Sequence, residues 1–398
     1  MSAYFPKLQR RHGLSLLGML AGCVILISTT PKTPNSGWMS VYAPPEFPQL
    51  FTGIPVLRPW VPVERLDYAL TGNLWLSSSL AYALVAFLVL ALFYREALRL
   101  GNERLFWIML APLSIVIYLS SWAGPLYDIT FALGLIVTLI LLSELPRQVS
   151  KLPIVVLVLA LFLVDMSRPT GSLIVIPALI FGLFWFKCNR WILFVGSAVL
   201  LLPFHIMQWT QFHTIALTTF SGSNLYEAIH IGRDCLPEFA RRELDSLAMA
   251  TCSNEAAAEI RAALLKDPSA ILSLFTPKRL AIILTPNPNW QDVDFGSSLV
   301  YYTVEIFTRL SIVGFYVLAF LSLKVDRRSL LGLLFLFIGI ITTLLAHSGF
   351  EAARVMLPFV LLTAFLALGA RWKAKTRKAK ESGPTELTTD SAGAAEGL

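Results

Sequence analysis

The residues of this chain that could do chemistry cluster at the ends of apolar stretches. Asp128 follows a short Trp122-Ala123-Gly124-Pro125 turn, and Asp165 and Arg168 flank a second turn. Glu305 and Arg309 stand four residues apart, and His347, Glu351 and Arg354 bracket a third turn. Glu64 and Asp67 precede another apolar run. Each group also has a plain structural reading. Glu305 and Arg309 can neutralise each other along one helix, Asp128 suits the first turn of a helix dipole, and Arg168 and Arg354 can anchor helix ends at a lipid interface. Read together, they describe arginines able to grip a phosphate by bidentate hydrogen bonds and carboxylates able to take a proton from a hydroxyl. That chemistry fits sugar transfer from a lipid-phosphate carrier, and it also fits an anion transporter.

The elements that must position these residues are membrane helices. Of 398 residues, 56 % are hydrophobic and 14 % charged, against roughly 25 % charged in an ordinary soluble domain. A soluble enzyme and a disordered chain are both excluded. A span needs about 20 apolar residues, and ten stretches approach that: 12–29, 74–94, 104–120, 126–143, 152–166, 170–187, 191–208, 303–323, 329–346 and 353–370. The expected fold is therefore an all-α polytopic membrane protein of about ten transmembrane helices. With ten spans, Lys7, Arg10 and Arg11, Arg95, Arg99 and Arg104, Arg147 and Lys151, Lys187 and Arg190, and Lys324, Arg327 and Arg328 all fall on one side, with the basic start of the C-terminal tail. Cytoplasmic loops collect Lys and Arg, so both termini are expected in the cytoplasm. The net charge of +7 then reads as an orientation signal rather than a nucleic-acid surface. The basic residues of that side are expected in exposed loops.

Two long segments fall on the opposite, extracytoplasmic side. Residues 30–73 are rich in Pro and aromatic residues, and 209–302 has ordinary soluble composition. Within the second, 237–267 reads as two amphipathic helices around a turn. The apolar stretch after it, broken by Pro and charge, reads as interfacial or partly re-entrant rather than an eleventh span. Spans one to seven thus occupy residues 1–208, the helical outer loop 209–302, spans eight to ten 303–370, and a basic then polar tail, expected to be disordered, 371–398. Leu20-Ala21-Gly22-Cys23 fits a lipoprotein cleavage box, but the apolar run continues past Cys23, which favours a first span. Cys235 and Cys252 share the outer loop, where an oxidising compartment favours a disulfide between them. No His or Cys spacing reads as a zinc site.

Three stretches carry a resemblance to the GT-C superfamily of integral-membrane glycosyltransferases, the protein-mannosyltransferase-like enzymes that use polyprenyl-phosphate sugars. RLFWIMLAPLSIVIYLSSWAGPLYDITFALGLIVTLILL looks like the family's third and fourth helices with an acid, here Asp128, at the turn. PIVVLVLALFLVDMSRPTGSLIVIPALI resembles its helix–Arg-Pro–helix segment, here Arg168-Pro169. HSGFEAARVMLPFVLLTAFLAL resembles the late acid and arginine before a Pro-containing helix, here Glu351, Arg354 and Pro358, and SGSNLYEAIHIG is similar to an Asn-Leu-Tyr stretch of the large outer loop.

The resemblance implies inverting transfer of a sugar from a polyprenyl-phosphate donor to a glycan, lipid or protein acceptor, at the outer face of a bacterial inner membrane. The pathway it implies is cell-envelope or exopolysaccharide synthesis. It implies a catalytic carboxylate, with Asp67, Glu64 and Asp128 as candidates, and Arg168, Arg309, Arg354, Glu351 and His347 around the lipid phosphate. A divalent metal is left open. Family members usually place an acid, often an acidic pair, close after the first helix, whereas this chain has only Glu46, Glu64 and Asp67 in that segment. A polysaccharide polymerase or ligase, a transporter and a non-catalytic assembly subunit are the other classes that fit.

Overall fold

The computed structural model describes residues 10–28, 75–123, 126–213, 225–226, 229, 235, 246–286, 297–346 and 349–370. Among them the fold is all-helical, without a strand. The long helices are α1 (Arg10–Ser28), α2 (Trp75–Leu100), α3 (Glu103–Ala123), α4 (Leu126–Glu144), α5 (Lys151–Ser167), α6 (Pro169–Trp185) and α7 (Arg190–Phe212). They are followed by α8 (Ser246–Lys266), a 3₁₀ turn (Pro268–Phe275), α9 (Pro277–Leu284), α10 (Ser298–Ser322), α11 (Arg327–Ala346) and α12 (Gly349–Ala367). Each of the ten expected spans corresponds to one long helix.

By length and composition, three of these helices can cross a membrane: Arg190–Thr210, Ser298–Ser322 and Arg327–Leu345. His12–Ile25, Pro169–Trp185 and Val355–Ala367 are shorter apolar helices. α4 is different in kind. Phe131, Ala132, Leu135, Ile136, Leu139 and Leu142 form a broad, fully buried face, while Leu133, Val137 and Leu141 on the remaining side are partly buried; α2, α3, α5, α6, α11 and α12 pack against the helix. α12 is also enclosed, with every residue from Val355 to Leu366 buried. A helix that is apolar all round can face lipid or protein, and it is the packing around α4 and α12 that makes them inner helices. The outer helices α7, α10 and α11 instead turn Trp191, Phe194, Val199, Leu310, Phe320 and Phe337 outward.

Side-chain bonds sort the helix ends into two faces. At one, Asn102 Nδ2 in the α2–α3 turn donates to Leu368 O at 2.7 Å and Ala370 O at 3.0 Å, pinning the end of α12. Ser322 Oγ at the end of α10 donates to Leu366 O at 2.9 Å. Trp185 Nε1 at the end of α6 donates to Leu145 O at 3.1 Å, with the Arg327 guanidinium 3.8 Å over its ring.

This face corrects one expectation. Arg95 and Arg99 lie on α2, which runs six residues beyond the expected stretch, and not in a loop. They and Arg328 converge on Glu96, which is fully buried. Arg95 Nη2 also donates to Glu144 Oε2 at 2.9 Å. The basic residues of this side are thus partly consumed in a buried network, because Glu96 cannot stay charged inside the bundle without them.

The opposite face carries the segment between α7 and α10. The first half of the expected helix pair, 237–245, lies outside the described residues, and the second half is the single helix α8. The 3₁₀ turn and α9 each have eight residues, and an eight-residue α-helix is about 12 Å long, so neither crosses a bilayer. Asp267 and Thr276 cap them by accepting from Ser269 N and Arg279 N. Arg279 Nη2 donates to Leu344 O at 2.9 Å, tying α9 to the end of α11. Burial pulls the Arg279 guanidinium down from its ordinary value.

Cys235 and Cys252, 17 positions apart in sequence, form a disulfide with a Cα–Cα distance of 6.0 Å. A bridge over a loop of that length stabilises by roughly 2–4 kcal/mol. The Cys235→Ser, Cys252→Ser double variant should therefore melt lower than the parent. Added reductant should lower the parent to the same point and leave the variant unmoved.

Candidate functional site

The turn between α5 and α6 builds the centre of the site. Pro169 excludes helical backbone at the residue before it. Arg168 accordingly sits extended at φ −150°, ψ 145°, ending α5 and preceding α6, while Pro169 takes the first helical position. Gly171 N closes the turn on Arg168 O at 2.8 Å.

This conformation sends the Arg168 side chain to α4. Its Nε donates to Asp128 Oδ1 at 2.6 Å, and Nη2 donates to the same oxygen. Both side chains are buried, at 5 % and 1 % exposure. Asp128 lies in the first turn of α4, where backbone N–H groups also favour a carboxylate.

A second carboxylate lies one turn before Arg168. Asp165 occupies the last turn of α5, the dipole end that disfavours negative charge. It is buried and is held by side-chain donors instead. Ser172 Oγ in α6 donates to Oδ1 at 2.6 Å, and His205 Nε2 in α7 lies 2.9 Å from Oδ2. A carboxylate accepts, so Nε2 carries the proton in that contact. His205 is 17 % exposed against 1 % for Asp165, which makes the imidazole the member of the pair that a reactant reaches. Three residues further along α7, Gln208 is fully buried. Four helices thus bring Asp128, Arg168, Asp165, Ser172, His205 and Gln208 to the same face of the bundle.

Of the residues singled out in the sequence, Asp128 and Arg168 are in direct contact. Arg309 is placed elsewhere: its Nε donates to Glu305 Oε1 at 3.0 Å on its own helix, and α10 packs chiefly on α12 and α3. The simple helix-pair reading describes that contact. Glu64, Asp67 and His347 lie outside the described residues. Glu351 and Arg354 fall in the first two turns of α12, with their side chains outside the described set. Among the described residues no group of three or more His, Cys, Asp or Glu is gathered to hold a metal ion.

Sequence reading missed His205 and Ser172. The signal was present in α7, where His205 and Gln208 interrupt an apolar run at a spacing of three, one helix face. Polar groups inside an apolar helix are functional candidates.

Comparison with known protein families, with curated proteins and with solved structures finds no match to this chain.

Proposed function

We propose that the chain is a ten-span membrane glycosyltransferase that moves a sugar from a polyprenyl phosphate to an acceptor hydroxyl at the Asp128 face. That face is the outer side of a bacterial inner membrane. The reading rests on one observation: Arg168 at the α5–α6 turn follows by three residues Asp165, whose carboxylate pairs with His205 of α7. The positive-inside pattern supports the orientation, and the resemblance to GT-C enzymes supports the chemistry.

In this reading His205, oriented by Asp165, takes the proton of the acceptor hydroxyl as its oxygen bonds to the anomeric carbon. The bond from that carbon to the phosphate oxygen breaks, and the lipid phosphate leaves with the electron pair, its charge met by Arg168. Asp128 holds the guanidinium in place and is itself engaged, which moves it from base to positioning residue. Asp67 and Glu64 stand as the alternative bases.

The test is transfer of a labelled sugar from polyprenyl phosphate in proteoliposomes. His205→Gln should lower turnover by about 10²–10⁴-fold, the usual worth of a general base, with melting unchanged. Loss with Asp67→Asn and not with His205→Gln assigns the base to Asp67. A parent protein without transfer activity leaves the second reading, a non-catalytic membrane subunit, which the burial of the Asp128–Arg168 pair favours.

The orientation has its own test. Reporter fusions after Gly222 and after Arg371 should report opposite sides of the membrane, and the same side for both would break the ten-span topology.

A further inference from the structure

A lateral cavity of about 450 Å³ lies between α1, α2, α4 and α5, with none of Asp128, Asp165, Arg168 or His205 among its lining residues. Its walls include Leu16, Leu92, Leu133, Val137 and Leu163, and Arg95 is the one charged residue among those that line it. Leu88, Val156 and Leu159 line it and are 40 %, 39 % and 50 % exposed on its rim, so it opens sideways and not to water at a helix end. Its α2 wall runs from Leu88 to Leu98. Eleven helical residues rise about 15 Å, half of a hydrocarbon core of about 30 Å.

We propose that this groove holds one acyl chain of an anionic phospholipid, with the phosphate at the Arg95–Arg99 end. The wall is one leaflet deep, which suits an acyl chain and not a long polyprenyl chain. Apart from Tyr94 and Arg95 at one end, its lining residues are apolar. At the head-group end Arg95, Arg99 and Arg328 meet Glu96 and Glu144, while Glu103 accepts from Tyr94. Arg99 is the most exposed of the three, at 37 %, and guanidinium groups bind phosphate by paired donors. The site rests on membrane embedding alone and stands apart from the catalytic reading.

Protein in neutral detergent is titrated with phosphatidylglycerol, phosphatidylcholine or polyprenyl phosphate, read by native mass spectrometry and thermal melting. Phosphatidylglycerol should leave a one-to-one adduct and raise the melting point. Phosphatidylcholine should bind about tenfold more weakly, the scale of one charge-assisted contact. Ala91→Phe fills the groove and should abolish the adduct. Leu159→Trp blocks its exposed rim and carries the same test if Ala91→Phe fails to fold. Leu310→Trp, exposed on α10, should keep the adduct. Arg99→Gln should remove the preference for the anionic head while leaving phosphatidylcholine binding unchanged. Equal binding of the two phospholipids overturns the proposal, as does an adduct that survives both groove variants. Stronger binding of polyprenyl phosphate than of phosphatidylglycerol also overturns it and gives the groove to the sugar carrier.

Discussion

Arg168→Ala should destabilise the protein by about 3–5 kcal/mol, the cost of removing one partner from a buried ion pair. The Asp128 carboxylate is 1 % exposed and loses both guanidinium donors at once. The loss is therefore larger than for any exposed pair, which is worth about 0–1 kcal/mol. Arg309→Ala is the internal contrast, since Arg309 is 41 % exposed beside Glu305 and should change stability by less than about 1 kcal/mol. Replacing both partners separates stability from chemistry. Asp128→Leu with Arg168→Met removes both charges and should regain most of the lost stability. It should carry no sugar transfer, because nothing then meets the leaving phosphate. If Arg168→Ala melts with the parent, the buried pair is not what joins α4 to the α5–α6 turn. If the double variant transfers sugar, Arg168 is a structural residue only.

Gly171→Ala should be comparably damaging, through sterics rather than charge. A Cβ on Gly171 would fall inside the Val164 carbonyl and 2.9 Å from Asp165 Cα. These are backbone atoms of α5, so no rotamer change relieves the overlap. Overpacking costs typically 1–3 kcal/mol where side chains can give, and here the turn itself must open. Opening it moves Asp165 away from Ser172 and Arg168 away from Asp128, so stability and transfer should fall together. Gly314→Ala is the control, since nothing lies within 4 Å of its Cβ position. A Gly171→Ala protein that melts and transfers normally would mean that α5 and α6 pack less closely than their present geometry.

Most helices were legible because each is an apolar run long enough to be seen on its own. Their ends were less so. α2 continues through Arg95, Glu96 and Arg99, since charges that neutralise each other across helices need not end a helix. Arg168 was legible as a site residue because Arg-Pro both breaks the helix and leaves a cation at the break. The Asp165–His205–Ser172 cluster was not, because its members come from three helices and only packing joins them. The pairing of Arg168 with Asp128 spans 40 residues, and nothing local marks it. Arg309 shows the opposite case: its i,i+4 partner was visible in the sequence, and that local pairing describes its contact.

The enclosure of α12 also bears on how the chain is made. Among the described residues α12 is the last long helix to be synthesised, yet it occupies the centre beside α4. Synthesis at about 5–20 residues per second places α12 some tens of seconds after α4. Until α11 and α12 are made, α4 lacks two of its six neighbours, and Glu96 lacks Arg328 of α11, 232 residues downstream. Arg99, three residues from Glu96 on the same helix, is its partner from the moment α2 forms. The bundle thus closes from its C-terminal end, with the nascent helices held around a place that only the final one fills.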